Sequence, residues 1–205
     1  MSETRWRLVV HGGAGSMRLG RLDPEQERCA RAGIERALAE GGAILERRER
    51  ALDAVEAAVR VLEEDECFNA GRGSVLTATG CIELDAAIMD GSTRAAGAVA
   101  GLRTTRAPIG LARELLEHGP HVFLSGHGAD EFARDHGLEQ VANSWFEVPE
   151  RRRQLHELLG EGGFDDEVKY GTVGAVAVDT DGHVAVATST GGLTAKRGVE
   201  WATRR

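Results

Sequence analysis

The chain has 205 residues and a formal net charge of −8, from 25 lysines and arginines against 33 aspartates and glutamates. That length holds one domain with a substantial core. The acidic balance, with no long basic run, argues against nucleic acid as the main partner, and no run of roughly 18 or more apolar residues is present to span a membrane.

Residues 1–7 are polar and charged and lack the apolar centre of a signal peptide, so a cytoplasmic protein is expected. A strand is predicted over 8–11. Asp23 and Pro24 read as a helix N-cap and first position, and this helix should run to a stop at Gly41-Gly42. Leu52, Val55, Val59 and Leu62 fall on one face of a second helix. Strands follow over 82–89 and 98–102. A helix over 108–118 should end before Gly119-Pro120, followed by a short strand over 122–125 and a short helix over 129–136. Residues 151–170 change character, being charged and carrying Gly160, Gly162 and Gly163. The end of this stretch reads equally as a mobile linker or as a plain surface loop. Cys29, Cys67 and Cys81 show neither metal nor redox spacing and read as reduced core residues.

Residues 171–192 are the most informative. Two apolar runs flank Thr180-Asp181-Gly182, and Asp-Gly between apolar runs is a strong hairpin signal. Thr172 and Thr190 lie equally far from Asp181. Folding the hairpin there brings them opposite each other, within the one-residue offset that a bulge at Gly182 would add. Val176, Val178, Val184 and Val186 form one apolar face, and Val173, Ala175, Ala177, Ala185 and Ala187 the other. A hairpin apolar on both faces is expected to be covered on both.

Gly171-Thr172-Val173-Gly174 followed by Ala187-Thr188-Ser189-Thr190-Gly191-Gly192 resembles the core of the isoaspartyl peptidase/L-asparaginase family, the plant-type N-terminal-nucleophile asparaginases. Further pieces match in order. They are Val10-His11-Gly12-Gly13-Ala14-Gly15, Ala51-Leu52-Asp53-Ala54-Val55, Phe68-Asn69-Ala70-Gly71-Arg72-Gly73, and Glu83-Leu84-Asp85-Ala86-Ala87-Ile88-Met89-Asp90-Gly91. The match runs from about residue 8 to Lys196. It implies an α+β fold, a four-layer αββα sandwich that would be incomplete in its second half. It also implies self-cleavage of the Gly171–Thr172 bond, with 1–171 as a would-be α subunit and 172–205 as the start of a β subunit. Thr172, Thr190 and Asn69 are the implied catalytic residues. The implied substrates are L-asparagine and β-aspartyl dipeptides, and the implied assembly is a homodimer of processed protomers.

The implied chemistry has a physical logic. Cleavage frees an α-amine on the residue that carries the hydroxyl. An α-amine titrates at roughly 7.7–8.0, so it serves as a base near neutrality, and a Thr hydroxyl is a weak nucleophile until a base takes its proton. No cofactor is needed. The resemblance further implies a structural sodium ion on the backbone carbonyls of Leu62, Glu63, Asp65, Phe68, Ala70 and Arg72. Hard cations take oxygen ligands, and Glu63, Glu64, Asp65 and Glu66 make the loop acidic; a merely solvated acidic turn is the other reading. The glycine loop His11-Gly12-Gly13-Ala14-Gly15-Ser16 lacks the spacing of a phosphate loop, and His11 reads as structural.

The chain leaves the family pattern after Lys196. The family's Gly-Arg-Val-Gly-Asp-Ser-Pro, whose Arg and Asp hold substrate, is replaced by Arg197-Gly198-Val199-Glu200-Trp201-Ala202-Thr203-Arg204-Arg205. Residues 198–205 back-translate as GGG GTC GAG TGG GCG ACT CGC CGG. In a shifted frame this reads GGT CGA GTG GGC GAC TCG CCG, which encodes the family motif. A frameshifted tail is therefore expected, with no substrate-binding residue in this chain. On that basis a second reading stands beside the hydrolase, namely an inactive remnant that acts at most by binding a partner.

Overall fold

The computed structural model describes residues 5–13, 24–160 and 171–197. The elements are β1 (Arg7–His11), α1 (Pro24–Glu46), α2 (Ala51–Glu63), β2 (Leu84–Asp90), β3 (Ala96–Leu102), α3 (Pro108–His118), β4 (Phe123–Ser125), α4 (Gly126–Asp135), α5 (Pro149–Gly160), β5 (Val173–Val178) and β6 (Val184–Thr190), with a 3-10 turn at Asn143–Phe146. The strands form one sheet in the order β1-β5-β6-β2-β3-β4, antiparallel except for the β3–β4 pair. The class is α+β, as expected.

The β5–β6 hairpin sits at the centre and has the register its sequence implies. Val178 faces Val184 and Val173 faces Ser189, with no offset between them. The turn closes through Asp179 N–H to the His183 carbonyl, with Gly182 at φ +84. Such a left-handed residue after a tight turn suits glycine. Asp179 is buried and fully used. One carboxylate oxygen accepts the N–H groups of Asp181 and His183, and the other accepts the Ala51 N–H at 3.1 Å. The hairpin turn thereby caps the start of α2, where unpaired N–H groups and the positive end of the helix dipole favour an anion.

α1 packs on β1, α2 on β5 and β6, and α3 on β2 and β3. Leu52, Val55, Val59 and Leu62 of α2 are all buried, as their spacing predicts, and meet a floor of Ala175, Ala177, Ala185 and Ala187. The other face of the sheet corrects an expectation. A row of paired residues, Val9–Val176–Val186–Met89, crosses four strands there. These side chains are 65%, 45%, 36% and 38% exposed, and neighbouring Val184 is 48% exposed. Among the described residues the hairpin is covered on its alanine face alone. One six-stranded sheet is present among them.

Two further expectations are corrected, and one helix is added. α1 does not stop at Gly41-Gly42 but continues to Glu46, with both glycines buried. Residues 149–160 form α5, a helix that the sequence reading did not assign. Its charges pair along the helix, Arg153 with Glu150 and Glu157, and Gln154 with Glu150. Pairs at that spacing support a helix, and Leu155 anchors it in the core. Cys29 and Cys67 are not reduced core thiols; a disulfide joins them across a sequence separation of 38 residues. They meet because the loop after α2 lies against α1, a tertiary fact that local spacing does not encode. The remaining linker at 161–170, Ala14, Gly15 and Ser16 of the glycine loop, and the tail at 198–205 lie outside the described residues.

Candidate active site

Continuing the hairpin register one step past Val173 and Ser189 places Thr172 opposite Thr190, and β2 sets Asp85 on the other side of Thr190. Directly opposed residues share a face, so the three stand in a line on the open face of the sheet. The Thr172 side is exposed and Thr190 is half-buried.

The Gly171 carbonyl is the focus of the hydrogen bonding. Its oxygen accepts from Asn69 Nδ2 at 2.9 Å and from Thr190 Oγ1 at 2.9 Å. Both donors are held in orientation. Thr190 Oγ1 accepts the Gly192 N–H at 3.0 Å, which leaves its proton for Gly171. Asn69 Oδ1 accepts the Val75 N–H at 2.9 Å, so its amide faces one way only. Nδ2 also donates to the Gly192 carbonyl at 2.8 Å, and the Asn69 carbonyl accepts the Gly191 N–H at 3.0 Å. Asn69 is 5% exposed, and burial strengthens such bonds by excluding water. His11 Nδ1 lies 2.8 Å from the Thr172 carbonyl oxygen. The same nitrogen faces the Gly13 N–H at 3.2 Å, so Nδ1 sits between the glycine loop and the Thr172 carbonyl. A peptide carbonyl with two aimed donors, next to a hydroxyl-bearing residue, has the makings of an oxyanion hole.

The structure thus gathers Thr172, Thr190, Asn69 and Gly171 at one point. The neighbourhood of Asp85 and the bond from His11 were not anticipated. Both depend on the strand order, which places β1 and β2 on opposite sides of the hairpin and is not readable from local pattern.

The last two residues of α2, Leu62 and Glu63, lead into a loop that carries Asp65, Phe68, Ala70 and Arg72. It folds tightly back on the helix end. Gly71 has φ +48 and a Cβ there would run into the Glu63 carbonyl, while Arg72 N–H donates to that carbonyl at 2.7 Å. The Asp65 carbonyl accepts the Phe68 N–H at 3.2 Å. Each of these carbonyls keeps a second lone pair. The acidic run is not bare. Glu64 pairs with Arg106 at 3.0 Å, Asp65 with Arg36 at 2.5 Å and Glu66 with Arg72 at 2.6 Å. The buried Glu63 carboxyl has its pKa pushed up to about 8 by loss of hydration, against the pull of the Ile109 N–H, so it holds a proton at neutral pH.

A family model described as asparaginase matches residues 4–198. The isoaspartyl peptidase/L-asparaginase of Mus musculus is 46% identical over 192 residues, covering 92% of this chain and 58% of its own length. The isoaspartyl peptidase of Escherichia coli (strain K12) is 43% identical over 198 residues, covering 92% and 62%. That of Xenopus laevis, an isoaspartyl peptidase/L-asparaginase, is 44% identical over 191 residues, covering 92% and 60%. The chain spans about three-fifths of the length of these curated relatives.

Proposed function

Because this chain belongs to the asparaginase family, we propose that it hydrolyses the side-chain amide of L-asparagine and the β-aspartyl bond of isoaspartyl peptides, after cutting itself between Gly171 and Thr172. The relatives' names supply the substrate class. The observation that carries the self-cleavage is the Gly171 carbonyl, with Asn69 Nδ2 and Thr190 Oγ1 both donating to its oxygen.

In the proposed sequence the Thr172 hydroxyl adds to the Gly171 carbonyl carbon. The oxygen takes up negative charge where those two donors already point, so little reorganisation is needed as charge develops. The C–N bond breaks, the hydroxyl proton passes to the departing nitrogen, and an ester links Gly171 to the Thr172 oxygen. Water hydrolyses the ester and leaves Thr172 with a free amine. His11 keeps its hold on the Thr172 carbonyl throughout, since that bond is outside the reacting peptide. Departure of Gly171 frees the donors of Asn69 and Thr190 for the oxygen of a substrate amide. The new amine then takes the proton from the Thr172 hydroxyl as it attacks.

The proposal extends to three features of the assembled protein. Residues 1–171 are the α portion and 172–205 the start of the β portion. A sodium ion on the carbonyls of Leu62, Glu63, Asp65, Phe68, Ala70 and Arg72 would hold the loop that carries Asn69 and takes no part in bond making. Processed protomers pair as a homodimer in the cytoplasm. No helix among the described residues is long and apolar enough to cross a membrane.

Intact mass and N-terminal sequencing test the reading, together with ammonia release from asparagine. Wild type should yield a fragment beginning at Thr172. Thr172→Ala should remain whole, and Asn69→Asp, which keeps the Val75 acceptor but loses the donor, should cleave about 100-fold to 1000-fold more slowly. A new N-terminus at another residue, or an intact wild type that releases no ammonia, overturns it.

A further inference from the structure

The loop that carries Asn69 is fastened on its far side to α1. Cys67, two residues before Asn69, is disulfide-bonded to Cys29 of α1. Asp65 accepts the Cys67 N–H through Oδ1 at 2.9 Å and receives Arg36 of α1 on Oδ2 at 2.5 Å. Between Cys67 and Asn69, the Phe68 ring lies flush on α1, where a Cβ on Gly33 would stand 2.5 Å from it. On its near side Asn69 holds Gly171, Gly192, Val75 and Gly191. A single residue, Phe68, therefore separates a covalent anchor from the donor on the Gly171 carbonyl. The chemistry proposed above makes no use of the sulfur pair.

We propose that Cys29 and Cys67 form a reversible thiol–disulfide site, opened by a dithiol or by a glutathione-class thiol, whose closed form locks the Asn69 loop and whose open form loosens it. In opening, a reductant thiolate attacks one sulfur of the pair, forming a mixed disulfide and releasing the other cysteine. A second reductant thiol displaces the mixed disulfide. Two electrons and two protons pass to Cys29 and Cys67, and the reductant leaves as its own disulfide. The Arg36–Asp65 pair and the Phe68 packing survive, so the loop relaxes without detaching. In reducing compartments disulfides are mostly transient and regulatory, which suits a clamp of this kind. Its bearing on cleavage rests on the function proposed above; the loosening itself does not.

The test uses the full chain at fixed sodium concentration, equilibrated in glutathione buffers of graded redox ratio. Peptide mapping should find Cys29 linked to Cys67 under oxidising conditions. Hydrogen exchange over 64–75 should quicken at least tenfold on reduction, with α3 unchanged. Cys29→Ser should exchange at the reduced rate in every buffer, and Cys81→Ser should respond as wild type. Absence of the linked peptide at every ratio overturns the proposal, as does a linked protein whose 64–75 exchange ignores reduction. A responsive loop in a chain that never cuts at Thr172 would leave the clamp standing and remove the cleavage reading.

Discussion

The fold raises the pKa of Glu63 well above the ordinary carboxylate range. Its carboxyl is buried at the end of α2, with one oxygen taking the Ile109 N–H at 2.9 Å. Its other oxygen and Ser189 Oγ, one residue from Thr190, are both buried without a hydrogen-bond partner. In the folded protein the carboxyl keeps its proton up to about pH 8, whereas its ordinary value is 4.5. Between those values the unfolded chain has lost the proton and the folded chain has not. Stability therefore falls as pH rises through that window and levels off above it. At about 1.4 kcal/mol per pH unit the loss is capped at roughly 5 kcal/mol. Glu63→Gln keeps an acceptor for Ile109 and never ionises. Urea denaturation from pH 5 to 8.5 should show wild type losing stability relative to Glu63→Gln, and parallel curves would place the proton elsewhere.

Helix α1 shows how an element reads differently in sequence and in space. A glycine pair predicts a stop because glycine is a poor helix former. Yet Gly41 is where α1 comes into close contact with both β1 and α2. A Cβ there would meet Leu8 Cδ2 at 2.8 Å and the Ala54 carbonyl at 2.9 Å, whereas one on Gly42 would meet Trp6 at an ordinary 3.8 Å. Gly41→Ala should cost about 1–3 kcal/mol as overpacking outweighs propensity, and Gly42→Ala should gain about 0.5–1 kcal/mol. Thermal melts of the two variants give opposite signs if the close approach governs. The hairpin was legible for the converse reason. Asp181-Gly182 and the equal spacing of Thr172 and Thr190 are local features, and local features decided the register. Asn69 reached the site only through the family motif, because its partners at 171, 191 and 192 are more than 100 residues away. The Cys29–Cys67 bond and the Arg36–Asp65 pair needed the packing of α1 on the loop, which no window of sequence contains.

For the whole molecule the open sheet face dominates. Apolar side chains at Val9, Val176, Val186 and Met89 run unbroken across four strands, and a contiguous exposed patch of that kind drives association. The valine and alanine faces of the hairpin are equally apolar in sequence, so only the structure tells which one the helices take. Val176 and Val186 point away from the helices, and their replacement leaves the core intact. The 205-residue chain should self-associate at micromolar concentration in sedimentation velocity. The pair Val176→Lys and Val186→Lys should abolish association beyond the proposed dimer without lowering the melting temperature. A monodisperse wild type with one cooperative transition would mean that the face is covered in some other way.

The strand order has a consequence for what severing the chain does. β5 and β6 lie after the proposed cut, and they are flanked by β1 on one side and β2 on the other, both from before it. The later piece is a wedge driven between two parts of the earlier one, laced to each by a ladder of main-chain hydrogen bonds. Breaking one peptide bond removes neither ladder, and Asp179 still reaches across to the start of α2. The two pieces should travel together through gel filtration and part only in denaturant. Once parted they face a reassembly that the uncut chain never had to make, because the wedge must find its slot without a tether. Scission thus turns a fold that one chain can rebuild into one that is made once.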